Sequence, residues 1–286
     1  LAKKNRCDLI VGSDPDADRV GVMVRNAAGE YEVLSGNQTG VLLLDYLIGA
    51  KKRAGTLGED AYALTTIVST QMVDKICAVN HIHTARTFTG FKFLAEKKDA
   101  LEAAGEGKVF FAFEESLGYM LGDYVRDKDA VTAIVLIAEM AAWYASQDKT
   151  LYDALQDCYA KYGHYGESTI NLVMPGLDGM RDMAAIMEQL HKAPLTEVAG
   201  TAVVAQKDYQ AGTVTDPATG AVTPMELKDS NVVAYNLADG TTFIIRPSGT
   251  EPKIKVYVLA HGGSQAECDE KLAKYTAFAD VIKTMA

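Results

Sequence analysis

Thiols are few in this chain. Cys7, Cys77, Cys158 and Cys268 are scattered over 286 residues, and no two stand at C-x-x-C spacing. That excludes a zinc-thiolate site and a disulfide framework, and it fits a reducing cytoplasm. Positive charge is also short: 28 Lys and Arg face 38 Asp and Glu, a formal net charge of −10. An acidic chain of this kind argues against nucleic acid or a membrane surface as partner. An anionic ligand would need locally gathered Lys and Arg. The apolar run AVTAIVLIAEMAAWYA (130–145) is interrupted by Glu139 and is shorter than the ~20 residues a membrane span needs. It reads as a buried helix. No signal peptide opens the chain, and it has no internal repeat or low-complexity segment. It starts at Leu1, and LAKKNRCDLIVG reads like the end of a helix running into a strand. The chain is therefore expected to begin inside a domain.

What is present supports sizeable cores. The chain is 48% hydrophobic and 23% charged, and its length suggests about two domains. CDLIVGS (7–13), RVGVMVRN (19–26) and YEVLSG (31–36) read as three strands. From Thr39, TGVLLLDYLIGAKKRAG reads as a helix with a basic last turn and Gly55 as its stop. Strand and helix then alternate: AYALTTIVST, TQMVDKICAVN, HIHTART, GFKFLAEKKDALEAAG, KVFFAFEES and a long helix over 129–147. That alternation predicts a mainly parallel α/β sheet. After Tyr162 it stops. ESTINLVM, a helix with Met183, Ile186, Met187 and Leu190 at helical spacing, four further strands and a closing amphipathic helix predict a separate α+β domain.

Asp14, Asp16 and Asp18 stand at every second position of GSDPDADR. With free Asp ionising at about 3.9, three carboxylates on one short loop repel one another. A hard divalent cation such as Mg²⁺ is the simplest partner, because it takes oxygen ligands and leaves places for water or phosphate. The residual negative charge calls for a further cation, and Arg19 follows at once. The ordinary alternatives are a solvated turn or a calcium loop. An EF-hand needs Gly at its sixth position and Glu at its twelfth; counted from Asp14 those hold Arg19 and Arg25, which excludes that form.

Three further stretches carry polar chemistry. FEESLGY (113–119) offers Glu114, Glu115 and Ser116 at the end of a strand, suited to the hydroxyls of a sugar, although either glutamate could instead pair with a lysine. RPSGTEPKIKVY (246–257) places Arg246, Ser248, Gly249 and Thr250 between two strands. There a glycine lets backbone amides approach an anion, and an arginine fork suits phosphate. A hairpin with an incidental arginine is the competing reading. In TFTGFKF, Thr89 and Gly90 stand where a helix begins and are expected to cap it. Lys128, in RDKDA, precedes another helix and is otherwise a surface charge. His81 and His83 alternate on a strand without a third ligand and read as structural.

Taken in order, DPDADR, FTGFKF, FEESLGY and RPSGTEP resemble the α-D-phosphohexomutase superfamily, which includes phosphoglucomutases and phosphomannomutases. FEESLGY after TFTGFKF looks most like the phosphoglucomutase and phosphopentomutase branch; the phosphomannomutase branch tends to carry G-E-x-S-G. The resemblance implies the end of one α/β domain (1–37), a complete sugar-binding α/β domain (38–163) and a phosphate-binding α+β domain (164–286). It implies Asp14, Asp16 and Asp18 as Mg²⁺ ligands, with Arg19 near the transferring phosphate. Thr89, Gly90, Glu114 and Ser116 would meet the sugar, and Lys128 would assist proton transfer or charge balance. Arg246, Ser248, Gly249 and Thr250 would hold the substrate's other phosphate. The family's phosphoserine lies in a loop like T-A-S-H-N-P, and this chain has no Ser-His pair.

The activity implied is therefore a cytoplasmic, Mg²⁺-dependent transfer of phosphate between C1 and C6 of a hexose. Glucose is the leading candidate, with a sugar 1,6-bisphosphate as intermediate and activator and with N-terminal domains supplying the serine. This chain alone is expected to be inactive. The alternatives are a non-catalytic sugar-phosphate binding protein, and phosphomannomutase or phosphopentomutase activity.

Overall fold

The structure is a computed structural model and describes residues 1–176 and 178–285. It divides into two compact units, 1–163 and 164–286. Residues 1–37 cluster with the rest of the first unit.

The first unit opens with a short helix, α1 (Ala2–Asn5), and a three-stranded antiparallel sheet, β1 (Leu9–Ser13), β2 (Val20–Arg25) and β3 (Tyr31–Leu34), in that order. Strand β2 alternates buried and half-buried residues, with Val20, Val22 and Val24 inward. The third strand ends at Leu34, earlier than its apolar pattern suggests, because Ser35 and Gln38 form a capping box that starts α2 (Gly36–Ala54). Reciprocal side-chain to backbone bonds satisfy amides that the first helical turn leaves unpaired. Helix α2 ends at Gly55 in the left-handed region.

The alternating part follows: β4 (Ala61–Thr66), α3 (Met72–Asn80), β5 (His83–Thr87), α4 (Phe91–Ala104), β6 (Lys108–Glu114), β7 (Gly118–Leu121), α5 (Ala130–Ala145) and α6 (Leu151–Tyr162). The sheet order is β5-β4-β6-β7. Its first three strands are parallel, and β7 turns back antiparallel on β6. The mixed, mainly parallel sheet agrees with the alternation in the sequence; β7 and α6 are additions to it. Leu64, Phe91, Leu94, Leu101, Val109, Ala112 and Met120 form a core between the sheet and α4.

Helix α5 differs from expectation. Only Ala130, Ala133, Ile137 and Met140 are buried, while Val131 and Val135 are 63% and 64% exposed. Apolar composition permits burial but does not require it on every face, and here the spacing of the buried residues leaves one narrow stripe inward.

The second unit is an antiparallel sheet backed by helices. It comprises β8 (His164–Val173), α7 (Gly179–Lys192), β9 (Glu197–Val198), β10 (Thr201–Asp208), β11 (Thr213–Thr215), β12 (Val222–Pro224), β13 (Val233–Leu237), β14 (Thr242–Pro247), β15 (Lys253–Gly262), α8 (Gln265–Ala279) and a 3-10 turn over Asp280–Met285. Its main path runs β12-β11-β10-β13-β14-β15-β8, with β9 on β10. Met183, Ile186, Met187 and Leu190 of α7 join Tyr275 of α8 against Phe243, Ile245, Val256 and Val258. The fold is thus α/β with a mixed sheet, followed by an α+β unit. Leu177, part of the segment read as the start of α7, lies outside the described residues. No helix among the described residues is long and apolar enough to cross a membrane.

Candidate active site

The aspartates sit on the hairpin between β1 and β2. Asp14 N donates to Arg19 O (3.2 Å) and Ala17 N to Asp14 O (3.0 Å), with Ala17 in the left-handed region at φ 55°. Asp14 Oδ1 accepts from the amides of Arg19 (3.1 Å) and Asp18 (3.2 Å). The Arg19 amide bond in particular holds the Asp14 carboxyl below its ordinary value, partial burial opposing it, because such bonds favour the anion. Asp16 is exposed. Asp18 Oδ2 lies 2.8 Å from Lys128 Nζ, and its Oδ1 lies 3.7 Å from Arg19 Nε.

The loop is fixed to chain about a hundred residues away. Val20 N donates to Leu117 O (3.1 Å), Ala130 N to Ala17 O (3.1 Å) and Arg19 Nη1 to Ser116 O (3.2 Å). Arg19 also pairs with Gly118 in an isolated antiparallel bridge. Positions far apart in sequence thus converge: Asp18, Arg19, Ser116 and Lys128 meet directly, Asp14 and Asp16 stand on the same hairpin, and Glu114 ends the strand that leads to Ser116 and feels the charges of Lys128 and Arg19.

Glu114 and Gly118 close the β6–β7 hairpin, with Leu117 at φ 67° supplying the reversal. Two glycines allow close approach here. An added Cβ on Gly36, at the start of α2, would lie 2.0 Å from Glu115 O; one on Gly118 would lie 2.7 Å from the Phe91 ring and 3.0 Å from Lys128 Cδ. Glu114 is 6% exposed and accepts from Gly90 N. Burial pushes its carboxyl up, against the Gly90 amide bond, and the charge of Glu115 pushes the same way. Gly90 is the N-cap of α4, at φ 120°, and no side chain caps that helix. The expected capping by Thr89 is therefore not made: the Gly90 amide is given to Glu114 instead. Thr89, half-buried, lies one residue before this contact.

Among the described residues Glu115 is held by hydroxyls and not by a lysine. Its Oε2 accepts from Thr66 Oγ1 and Ser69 Oγ, both at 3.3 Å. Arg86 holds the chain segment that carries those hydroxyls: it donates to the carbonyls of Thr66 (2.8 Å), Ser69 (3.0 Å) and Thr70 (2.9 Å), and pairs with Asp74 at 2.7 Å. Neither residue type nor spacing singles out Glu115's partners or Arg86, because their bonds are to backbone carbonyls and to hydroxyls distant in sequence.

Lys128 is 17% exposed and also lies 3.3 Å from Asp127 Oδ1. Burial alone would lower its ammonium, but the bonds to Asp18 and Asp127 outweigh it and raise it. Lys128 thus pairs within the site and is not a loose surface charge.

In the second unit, Arg246 lies near the end of β14, and Ser248, Gly249 and Thr250 occupy the β14–β15 turn. Ser248 Oγ accepts from the amides of Thr250 (3.4 Å) and Glu251 (3.3 Å), so these amides face a hydroxyl of their own loop. None of residues 246–251 has a positive φ, and an added Cβ on Gly249 would meet nothing within 4 Å. The turn therefore contains no left-handed residue, and the fold itself does not require glycine there. The Arg246 side chain makes no hydrogen bond or ion pair among the described residues. Lys255 is its cross-strand partner, a second cation on the same face. Strand register, once the turn length is known, is the signal that finds it.

All the candidate metal ligands are carboxylates, which suits a hard cation. Their arrangement does not: among the described residues no group of three or more His, Cys, Asp or Glu could hold a metal. Asp14 is turned into its own loop and Asp18 is taken by cations of the protein.

Comparison with known proteins locates this architecture. Residues 35–162 match the phosphoglucomutase/phosphomannomutase alpha/beta/alpha domain III, and residues 170–274 match the C-terminal domain of the same family. The chain belongs to the phosphoglucomutase/phosphomannomutase family. A phosphoglucomutase of Staphylococcus aureus is 34% identical over 258 residues, 90% of this chain and 46% of that protein. This family member thus spans about half the length of the curated relatives it matches. Among solved structures, the phosphoglucomutase parafusin from Paramecium aligns with a TM-score of 0.64 at 18% identity, covering 98% of this chain and 45% of that one. An Aspergillus fumigatus N-acetylphosphoglucosamine mutase, solved with GlcNAc-6P and magnesium, aligns at 0.54 and 13% identity, covering 99% and 52%. Both show the family's fold in this chain.

Proposed function

We propose that the chain is the sugar- and phosphate-binding part of a phosphohexose mutase of the phosphoglucomutase kind, working in the cytoplasm. Residues 1–37 would complete the second domain of the family, 38–163 form its third and 164–286 its fourth. The whole enzyme would move phosphate between C1 and C6 of a hexose, with glucose the leading candidate, through a sugar 1,6-bisphosphate and a phosphoserine outside this sequence. The observation that carries the reading is the convergence of DPDADR, FEESLGY and Lys128 in one cluster of a chain that matches two consecutive family domains.

Each residue has a task. Glu114, buried and already accepting from the Gly90 amide, would hold one sugar hydroxyl, and Ser116 adds a second hydrogen bond. Arg19 and Lys128 supply positive charge where a phosphoryl group would arrive. Arg246, with no internal partner, grips a phosphate bidentately, Ser248, Gly249 and Thr250 lining the same turn. Such a remote grip supplies positioning. The three aspartates suit Mg²⁺ by donor chemistry but not by their present arrangement.

Titration of this chain with glucose 1-phosphate, mannose 1-phosphate and ribose 1-phosphate tests the reading. Saturable binding of glucose 1-phosphate, weakened by Glu114→Ala and by Arg246→Ala, is expected. A coupled assay with glucose 1,6-bisphosphate should show no turnover by the isolated chain; interconversion would mean that the nucleophile lies within these residues after all.

A further inference from the structure

Helix α4 buries a charge. Lys98, near its middle, is 1% exposed, and its ammonium lies against Glu102 and, at 2.8 Å, against Asp123 Oδ1. The two carboxylates differ in place. Glu102 is on the helix itself. Asp123 is on the loop over 122–129 that joins β7 to α5, and its side chain is 79% exposed. Water can serve Asp123 but hardly reaches Lys98. We propose that Lys98 is a positioning residue: its buried ammonium holds the 122–129 loop against α4 and thereby sets where the Lys128 ammonium stands. The inference rests on reading Lys128 as part of the substrate site.

The path from one lysine to the other is short. The loop leaves β7 at Gly122, in the left-handed region at φ 73°. Asp123 follows, and its carbonyl accepts from Arg126 Nη1 at 3.0 Å. Arg126 Nε in turn lies 2.8 Å from Asp99, the residue after Lys98 on α4. The loop is thus fastened at two consecutive positions of one helix. Beyond Arg126, Lys128 Nζ reaches Asp18 at 2.8 Å, Asp129 N donates to Tyr119 O (3.0 Å) and Ala130 N to Ala17 O (3.1 Å). The same helix also meets Lys128 directly. Phe91 precedes Lys98 by two turns, about 10 Å along the axis, and both are buried. Its ring centroid stands 5.7 Å from Lys128 Nζ. One face of α4 therefore touches both the start of the loop and the lysine near its end. The hold is unequal. A buried charge without its partner is costly, so Lys98 keeps Asp123 in place, whereas an exposed pair such as Asp99–Arg126 contributes little.

The test begins with this chain free of ligand. NMR follows the Lys128 ε-methylene signals, and hydrogen exchange follows the Ala130 amide. Lys98→Met and Asp123→Asn should each move the Lys128 signals towards those of a free lysine. Each should also speed Ala130 exchange about tenfold, as local opening of the loop would. Asp123→Glu, which keeps the charge at an exposed position, should return both readouts towards the wild type. Lys98→Met combined with Asp123→Asn should do no more than either alone, because both remove one bond. Lys149→Met removes a lysine paired with Asp157 elsewhere in the same unit and should change neither readout. Unmoved Lys128 signals in Lys98→Met and Asp123→Asn would overturn the proposal, as would equal shifts in Lys149→Met. If Lys98→Met folds poorly, the two Asp123 variants carry the test. Glucose 1-phosphate is then titrated into the same proteins, and Lys98→Met and Asp123→Asn should bind it about tenfold more weakly than the wild type. Equal affinity in all of them would mean that the loop does not place Lys128 for substrate. Absence of binding by the wild type would instead overturn the reading of the site, and the ligand-free signals would still decide what Lys98 holds.

Discussion

The two polar turns of this chain solve opposite problems. The aspartate turn gathers like charges and satisfies them internally, through Lys128, Arg19 and its own amides. The turn at 246–251 directs two amides at Ser248 but leaves the Arg246 side chain without a partner. A ligand for the first must displace something that is already bound. A ligand for the second displaces only water. Preorganisation therefore means different things in the two units: stored neutrality in one, and an available charge in the other.

The largest effect is expected where the first unit is tied most densely. Arg86→Met would leave the carbonyls of Thr66, Ser69 and Thr70 without their donor, and an unsatisfied buried polar group costs about 1–3 kcal/mol. Urea denaturation should register a loss of about 3 kcal/mol, and glucose 1-phosphate binding should weaken with it as Glu115 loses its fixed hydroxyl partners. A loss below about 1 kcal/mol would show that the segment holds itself without the guanidinium.

Next in size is Arg246→Ala. A charge-assisted hydrogen bond contributes about 1.5–3 kcal/mol, so sugar-phosphate affinity should fall roughly tenfold to a hundredfold. The melting temperature should stay unchanged, because no described residue depends on this side chain. A destabilised variant would break the contrast drawn between the two turns.

The smallest effect is in pH dependence, and the two carboxylates should show it with opposite signs. Glu114 is raised by burial above its ordinary 4.5, so the folded state holds the proton more tightly than the unfolded chain. Its contribution to stability is fully present below 4.5 and is lost as pH rises through the raised value. Asp14 is lowered from 3.8, above all by the Arg19 amide. Its contribution is present above 3.8 and is lost as pH falls through the lowered value. Glu114→Gln should flatten the first slope and Asp14→Asn the second, as read by melting temperature across pH. Matching slopes in both variants would mean that neither environment is as described.

Much of the architecture could be read from the sequence because periodicity is local. β4 to β6 alternate with α3 and α4, and the methionine-rich stripe of α7 points inward as spaced. The reversal into β7 was hidden. Its turn residue, Leu117, takes a left-handed conformation at φ 67°, where sequence rules look for Gly, Asn or Asp. The start of α2 was misplaced because Ser35 and Gln38 cap it from a segment that reads as strand. Of the site, residue types and their grouping on loops were legible, but their pairings were not. Asp18 meets Lys128 across 110 positions, and Arg86 serves carbonyls that carry no residue-type signature. Conversely, the capping expected of Thr89 failed because Glu114, on another strand, takes the Gly90 amide.

The register of β8 on β15 runs unbroken over ten residue pairs, from His164 with Gly262 to Lys253 with Val173. Considered as an order of events, that pairing joins the strand that opens the second unit to one near its end. A ribosome releases β8 long before its partner exists, and closing so long a loop carries an entropic cost before any contact offsets it. In the interval β8 is an unpaired strand beside a finished first unit, open to wrong neighbours. The second unit should therefore complete its sheet late and in one step, when Lys253–Gly262 arrives, and chains stopped before that strand should aggregate instead of folding in part.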